Sequence, residues 1–200
     1  EYVNFIEGFV KDEFFSDPHM VYSQDILWKA LEGKDQKVFA VLQEDQLMGI
    51  FVWMIITDDQ YIEMMIALSR EKKAYLEMFD FIEKNYTDCK IDFVFNPKNH
   101  VLRTVLEERN AKIDPEQMVM RLNKEIPYKK NSAIHVITDE YVEQYLAIHS
   151  KNVYWTGDKV IKASNLFRVF IAIKDSEAIG YVDVSYGPKG SEIYDLLVKE

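Results

Sequence analysis

The sequence predicts an α/β protein with a mixed, mostly antiparallel central sheet flanked by helices, present once nearly whole and once in part. Three observations carry that prediction. Short β-type runs alternate with segments of helical period, the runs at 37–69 recur at 168–200, and a polar stretch around Pro127 and Lys129 separates the two blocks. The boundaries that follow are residues 1–126 for the first domain and 127–200 for the second.

Taken in order, Val3, Phe5, Ile6, Phe9 and Val10 recur at roughly helical spacing, and Asp25 is placed to cap a short helix over 26–31. A loop is read at 16–18. Three strands follow at 37–43, 46–57 and 60–69, joined by the short polar links Glu44-Asp45 and Asp58-Asp59, as in an antiparallel meander. From Arg70 the period changes, and Ala74, Met78, Phe81 and Ile82 fall on one face of a helix. Then come a strand at 91–95, a turn at Asn96-Pro97, a helix at 100–109 and a strand at 117–122. Beyond the linker the pattern gives a strand at 133–137, a helix capped by Thr138 or Asp139 and running to about His149, and three more strands.

The repeat superimposes 37–69 on 168–200 without a gap, an offset of 131 residues. Val38-Phe39 falls on Val169-Phe170, Gly49 on Gly180, Ile62 on Ile193, and Met65-Ile66-Ala67 on Leu196-Leu197-Val198. Three strands keeping one spacing argue for a copied block.

With these residues in place, both blocks resemble the second to fourth strands of the GNAT superfamily of N-acyltransferases, including the glycine early in the third strand. The segment after the first block, with Asn99, Leu102, Val105, Leu106, Asn110 and Ala111, is similar to that family's late helix motif. The resemblance covers about 37–124 as one copy and 133–200 as the front half of another, so the first copy is read as degenerate and the second as truncated. It implies a fold in which a glycine-bearing loop after the fourth strand holds the pyrophosphate of coenzyme A on backbone N–H groups. Here that position reads Ser69-Arg70-Glu71-Lys72-Lys73-Ala74, with no glycine; Glu71 would repel phosphate, while Arg70, Lys72 and Lys73 partly offset it. The tyrosine that protonates the leaving thiolate in many members is replaced by Leu106, which has no proton to give.

The resemblance therefore places chemistry in the second copy. Its fourth strand would pair with the pantetheine arm, making Leu196, Leu197 and Val198 contact positions, and a carboxylate on that strand would act as general base toward the substrate amine. Glu192 and Asp195 are the candidates. Being three apart on a regular strand, they point to opposite faces, so at most one of them can face the cleft, and Glu192 is preferred. Tyr154 and Trp155 lie where family members shape the acceptor pocket. The implied cosubstrate is acetyl-CoA, with no metal, and the implied acceptor is a small-molecule or lysine-like primary amine. A non-catalytic, GNAT-shaped ligand-binding or regulatory module is the rival reading.

Composition narrows the classes. A net charge of −10 argues against nucleic acid, whose phosphates must be neutralised by cations, and is compatible with cationic ligands. The longest apolar run, 48–56, ends at Thr57 and two aspartates, too short to cross a bilayer. The single cysteine, Cys89, excludes an internal disulfide and a cysteine zinc site, in keeping with a cytoplasmic setting. His19, His100, His135 and His149 lack metal-ligand spacing and are read as surface or core-edge residues.

Overall fold

Two-residue polar links between β-type runs demand tight hairpins, and the right-handed twist of strands selects turns whose central residues have positive φ. In the computed structural model, Glu44 and Asp45 adopt φ of 48° and 63°, and Asp175 and Ser176 adopt 50° and 66°. The structure describes residues 2–20, 36–118, 127, 129, 131–187 and 190–199. The chain divides into two compact units, Glu1–Met120 and Arg121–Glu200, each built on a four-stranded sheet. Among the described residues no helix is long and apolar enough to cross a membrane. The predicted helix at 26–31 and most of the strand at 117–122 lie outside the described residues.

In the first unit, β1 (Gln36–Gln43), β2 (Gln46–Ile56) and β3 (Tyr61–Ser69) form the expected antiparallel meander. Helix α2 (Lys72–Asn85) then crosses over so that β4 (Lys90–Phe93) pairs parallel to β3, and α3 (His100–Glu108) follows. Alternation sorts the strands into two apolar faces. Helix α1 (Tyr2–Val10) lays Ile6 and Phe9 on Ile50, Val52, Ile66 and Leu68. The other face, with Phe51, Trp53, Met64 and Ala67, is covered by Ala74, Met78, Phe79 and Ile82 of α2 and by Leu102, Val105 and Leu106 of α3.

One polar bolt fixes that cover. The buried Tyr75 hydroxyl donates to the Ser69 carbonyl (2.8 Å) and accepts from Asn99 Nδ2 (3.0 Å), while Asn99 Oδ1 caps α3 by accepting from Leu102 N (3.0 Å). Burial, the larger influence, pushes the phenol up to about 12, so the hydroxyl stays a donor.

The second unit contains β5 (Ile134–Val136), α4 (Asp139–Ile148), α5 (Gly157–Lys162), β6 (Phe167–Lys174), β7 (Glu177–Gly187) and β8 (Gly190–Val198), with strand order β5-β6-β7-β8 and every pair antiparallel. Helix α5 was not expected from the sequence. Its Gly157 lies against α4, where an added Cβ would come within 2.9 Å of Leu146 and 3.1 Å of Tyr145 and His149.

The two sheets correspond residue by residue over their hairpins. The ladder Val41↔Gly49 matches Ala172↔Gly180, and the register shift after Val41 recurs after Ala172. The third strand departs from the gapless alignment. Gly49 pairs with Ser69 whereas Gly180 pairs with Val198, so β8 matches β3 at an offset of 129, not 131. Met64, Met65, Ile66 and Ala67 therefore correspond to Ile193, Tyr194, Asp195 and Leu196. The last connection is two residues shorter in the second unit, a change that composition hides.

Replacing Tyr75 by Phe keeps the ring and strands the Ser69 carbonyl and the Asn99 amide. We expect a loss of about 1–3 kcal/mol, read as a lower denaturant midpoint for the first unit with its slope unchanged.

Candidate functional site

The alternation Tyr181-Val182-Asp183-Val184 places a carboxylate where a core residue belongs. Asp183 is fully buried, in the middle of β7 and on the face that α4 covers. At the positions matching Tyr181, Asp183 and Asp195, the first unit carries Ile50, Val52 and Ile66, all buried and aliphatic. A buried polar group is costly unless it is hydrogen-bonded, so the second unit must supply partners that the first does not need.

Helix α4 supplies two of them. Tyr145 and His149 are four apart and so share a helix face, with His149 as the C-cap, its N–H bonded to the Tyr145 carbonyl (2.9 Å). The Tyr145 hydroxyl lies 3.0 Å from both oxygens of Asp183, and His149 Nε2 lies 2.9 Å from Asp183 Oδ2. His149 Nδ1 sits 2.7 Å from the Ser150 carbonyl, which can only accept, so Nδ1 carries a hydrogen. The contact between Nε2 and Asp183 then needs one further proton, and the pair holds it between them.

Asp195 faces Asp183 directly across β7 and β8. Its Oδ2 accepts from the Tyr181 hydroxyl (2.7 Å) and lies 3.8 Å from His149 Nε2, and the Tyr181 ring stacks on the imidazole at 5.0 Å. Tyr181 OH in turn accepts from Ser150 N at 3.3 Å. The side chains of His149 and Asp183 are 1% and 0% exposed and that of Asp195 is 26%, so Asp195 is the route from this network to solvent.

The bulge in β8 explains how Asp195 is held. Tyr194 is the extra residue, between Val184↔Ile193 and Asp183↔Asp195. Met65 is the matching extra residue in β3. In each unit a carboxylate takes up a backbone N–H just past the bulge. Asp17 Oδ2 accepts from Ala67 N (3.0 Å) in the first, and Asp195 Oδ1 accepts from Leu196 N (2.9 Å) in the second.

Electrostatics follow from burial. Burial raises Asp183 above the ordinary carboxylate range, with the hydrogen bonds from His149 and Tyr145 opposing it. Tyr145 is held well above the ordinary phenol range by burial and then by the Asp183 charge, and Tyr181 by burial and then by its bond to Asp195. Both hydroxyls are fixed as donors. One atom each from His149, Asp183 and Asp195 lies within 4.8 Å of the others, the one group among the described residues whose donors could hold a cation. The nitrogen and carboxylate set would suit a borderline divalent ion. The two tyrosine hydroxyls already satisfy the carboxylates, so the geometry is complete with protons alone.

The residues singled out in the sequence fall in different environments. Asp195 belongs to the network. Glu192, opposite Ser185, shares the face of Asp195 and Asp183, because the bulge restores the parity that a three-residue spacing would break. The expectation that the two acids point apart is thus corrected; Glu192 itself is exposed. Leu196 and Val198 stand exposed on the opposite face, and Leu197 packs against the core of the second unit.

In the first unit the cationic segment is engaged elsewhere. Ser69 is buried, its hydroxyl donating to the Met48 carbonyl (2.8 Å) and accepting from Glu71 N (3.0 Å). Arg70 bonds Asp12 (2.6 Å) and the Gly8 carbonyl (2.8 Å) and lies over the Phe9 ring. Lys72 pairs with Glu108 at 2.6 Å, and Lys73 reaches Gln43 and Glu77. Trp155 is half-buried, its ring 4.9 Å from that of Phe167 and 5.4 Å from that of Tyr154, over which the Lys159 ammonium sits at 3.9 Å.

Tyr145, His149, Tyr181 and Asp183 were missed. The reading of His149 as a surface or core-edge residue is overturned by its burial and its bond to Asp183. The available signals were the four-residue spacing of Tyr145 and His149 and an aspartate where the repeat has Val52. No protein-family model matches the chain, and no curated protein matches it.

Because Asp183 binds its proton more tightly folded than unfolded, its contribution to stability is complete at low pH and is lost as pH rises through its raised pKa. Asp183→Asn removes that loss. Denaturant melts across the acid range should show a less negative slope of stability against pH for the variant than for the parent chain.

Proposed function

We propose that the chain is a GNAT-type, acyl-CoA-dependent N-acyltransferase, moving an acetyl or other small acyl group to a primary amine, with the chemistry in the second unit. The observation that carries this reading is Asp195, a partly exposed carboxylate on edge strand β8, tied to Tyr181 and backed by the buried His149–Asp183 pair. The order of elements in the second unit, a strand, a helical segment and three antiparallel strands, is in keeping with the resemblance. So is the parallel pairing of β4 with β3 in the first.

In this reading the amine nitrogen attacks the thioester carbonyl, the C–N bond forms, the C–S bond breaks and the thiolate leaves. Asp195 takes the proton that the nitrogen sheds, and His149 at 3.8 Å shares the added charge. Among the described residues strand β8 has one sheet neighbour, which would leave its outer main-chain groups for the pantetheine arm. Glu192, on the same face as Asp195, would draw a cationic amine toward it. Tyr154 and Trp155 would flank the acceptor. The cations of the first unit are already bound to Asp12 and Glu108, which supports a structural part for that copy.

The non-catalytic module is favoured by one observation, the complete internal hydrogen bonding of the network. The two readings separate by experiment. With acetyl-CoA and a panel of amines such as spermidine and a lysine ester, the parent chain should release free thiol only when amine is present. Asp195→Asn should lower that rate by about 10²–10⁴ while retaining the thermal shift given by acetyl-CoA. A shift without thiol release would favour the module, and neither response would reject the acyltransferase together with any coenzyme-binding module.

A further inference from the structure

We propose that His149, Asp183 and Asp195 form a binding site for one divalent transition-metal ion, with Zn2+ the best match. The first unit shows that the fold does not demand this cluster. Its positions matching Asp183 and Asp195 carry Val52 and Ile66, both buried and packed under Ile6 and Phe9 of α1. A buried histidine with two carboxylates is no more stable than such apolar packing, so stability does not account for the exchange.

Each of the three groups has one atom tied outward and one directed inward. His149 Nδ1 gives its hydrogen to the Ser150 carbonyl (2.7 Å), Asp183 Oδ1 accepts from the Tyr145 hydroxyl (3.0 Å), and Asp195 Oδ1 accepts from Leu196 N (2.9 Å). The inward atoms are His149 Nε2 and the Oδ2 of each aspartate. Nε2 lies 2.9 Å from that of Asp183 and 3.8 Å from that of Asp195, in a group whose ligand atoms all lie within 4.8 Å of one another. A tetrahedral ion with bonds of about 2.0–2.1 Å holds its ligand atoms about 3.4 Å apart. The separations from Nε2 straddle that value.

The direction of Nε2 points to a cation independently. With Nδ1 carrying the hydrogen, Nε2 presents a lone pair on a side chain that is 1% exposed, aimed at carboxylate oxygens that present lone pairs too. None of the three has a hydrogen for the others. A shared proton closes the contact between Nε2 and Asp183 but leaves one of the two carboxylate charges unanswered. A divalent ion answers both and reaches Asp195 as well. Imidazole and carboxylate are ligands that Zn2+ takes, and a tie from Nδ1 to a carbonyl is the outer support found on metal-bound histidines. Asp195, 26% exposed, is the way in. Because the ion occupies Asp195, it is an inhibitor in the acyl-transfer reading; its binding does not rest on that reading.

The test uses the full chain, stripped with a chelator and titrated with Zn2+ by calorimetry, with Co2+ as a spectroscopic substitute. One saturable equivalent is expected, together with a melting temperature that rises with Zn2+ and falls back with chelator, and the intense visible absorption of four-coordinate Co2+. Asp195→Asn, isosteric and at a partly exposed position, should abolish all three. Tyr181→Phe removes the hydroxyl that steadies Asp195 and should weaken binding about 10–100-fold. Cys89→Ser and His19→Gln should leave it unchanged. Absence of saturable binding, full binding by an Asp195→Asn chain with native circular dichroism, or binding lost with Cys89 or His19 would overturn the proposal. Should Asp195→Asn fail to fold, Tyr181→Phe decides, and undiminished binding by it overturns the proposal equally.

Discussion

Two carboxylates standing opposite one another across adjacent strands set the constraint around which the second unit is organised. At an effective dielectric near 20, like charges 4 Å apart repel by about 4 kcal/mol, and burial adds a desolvation cost. Asp183 and Asp195 face each other across the ladder with a carboxylate oxygen of each within 4.8 Å, and Asp183 is wholly enclosed. Their coexistence requires donors, and these come from α4 above the sheet and from β7 within it. Tyr145 reaches Asp183, Tyr181 reaches Asp195, and His149 stands between the two. The rotation of α4 about its axis is therefore not free. Tyr145 and His149 must both look down, and α5 must cross where a glycine, Gly157, leaves room for them.

The bulge at Tyr194 performs two tasks with one inserted residue. It changes the parity of β8, bringing Glu192 and Asp195 to one face, and it leaves the Leu196 N–H to be taken up by Asp195 Oδ1. That second bond orients the carboxylate, directing its other oxygen to Tyr181 and toward His149. In the first unit the same irregularity at Met65 is served by Asp17, a residue of the loop after α1, and the strand position matching Asp195 carries Ile66. A shared backbone feature is thus stabilised from outside in one sheet and by the strand's own side chain in the other.

The sequence disclosed the parts of the fold that depend on local periodicity. Residues 37–69 alternate in apolar character, the polar pairs Glu44-Asp45 and Asp175-Ser176 mark the hairpins, and Ala74, Met78 and Ile82 recur at helical spacing, so meander, turns and α2 were all legible. Phe81, counted on the same face, is 43% exposed, because Phe79 takes the inward position. Bulges were not legible, since an extra residue in a strand changes register without changing composition. The opposed acids came from that source, whereas the gapless offset failed because the last connection is two residues shorter in the second unit. Helix α5 escaped because six residues give less than two turns of periodicity. The network escaped for another reason: a histidine and an aspartate 34 residues apart look like surface polarity until β7 and α4 are packed together.

The two faces of the second sheet are therefore unequal in what they contribute. On one, aliphatic residues have given way to hydrogen-bonded acids and tyrosines, an exchange that is neutral or destabilising relative to good apolar packing. On the other, apolar side chains stand in water and contribute little to folding. Strand β8 feels both effects. It has one neighbour in the sheet, it carries Asp195 inward, and it carries Leu196 and Val198 outward. The two effects meet at one residue, since the residue that presents its side chain to solvent, Leu196, also gives its N–H to Asp195 Oδ1, and the carboxylate's orientation therefore depends on the backbone of this half-exposed strand.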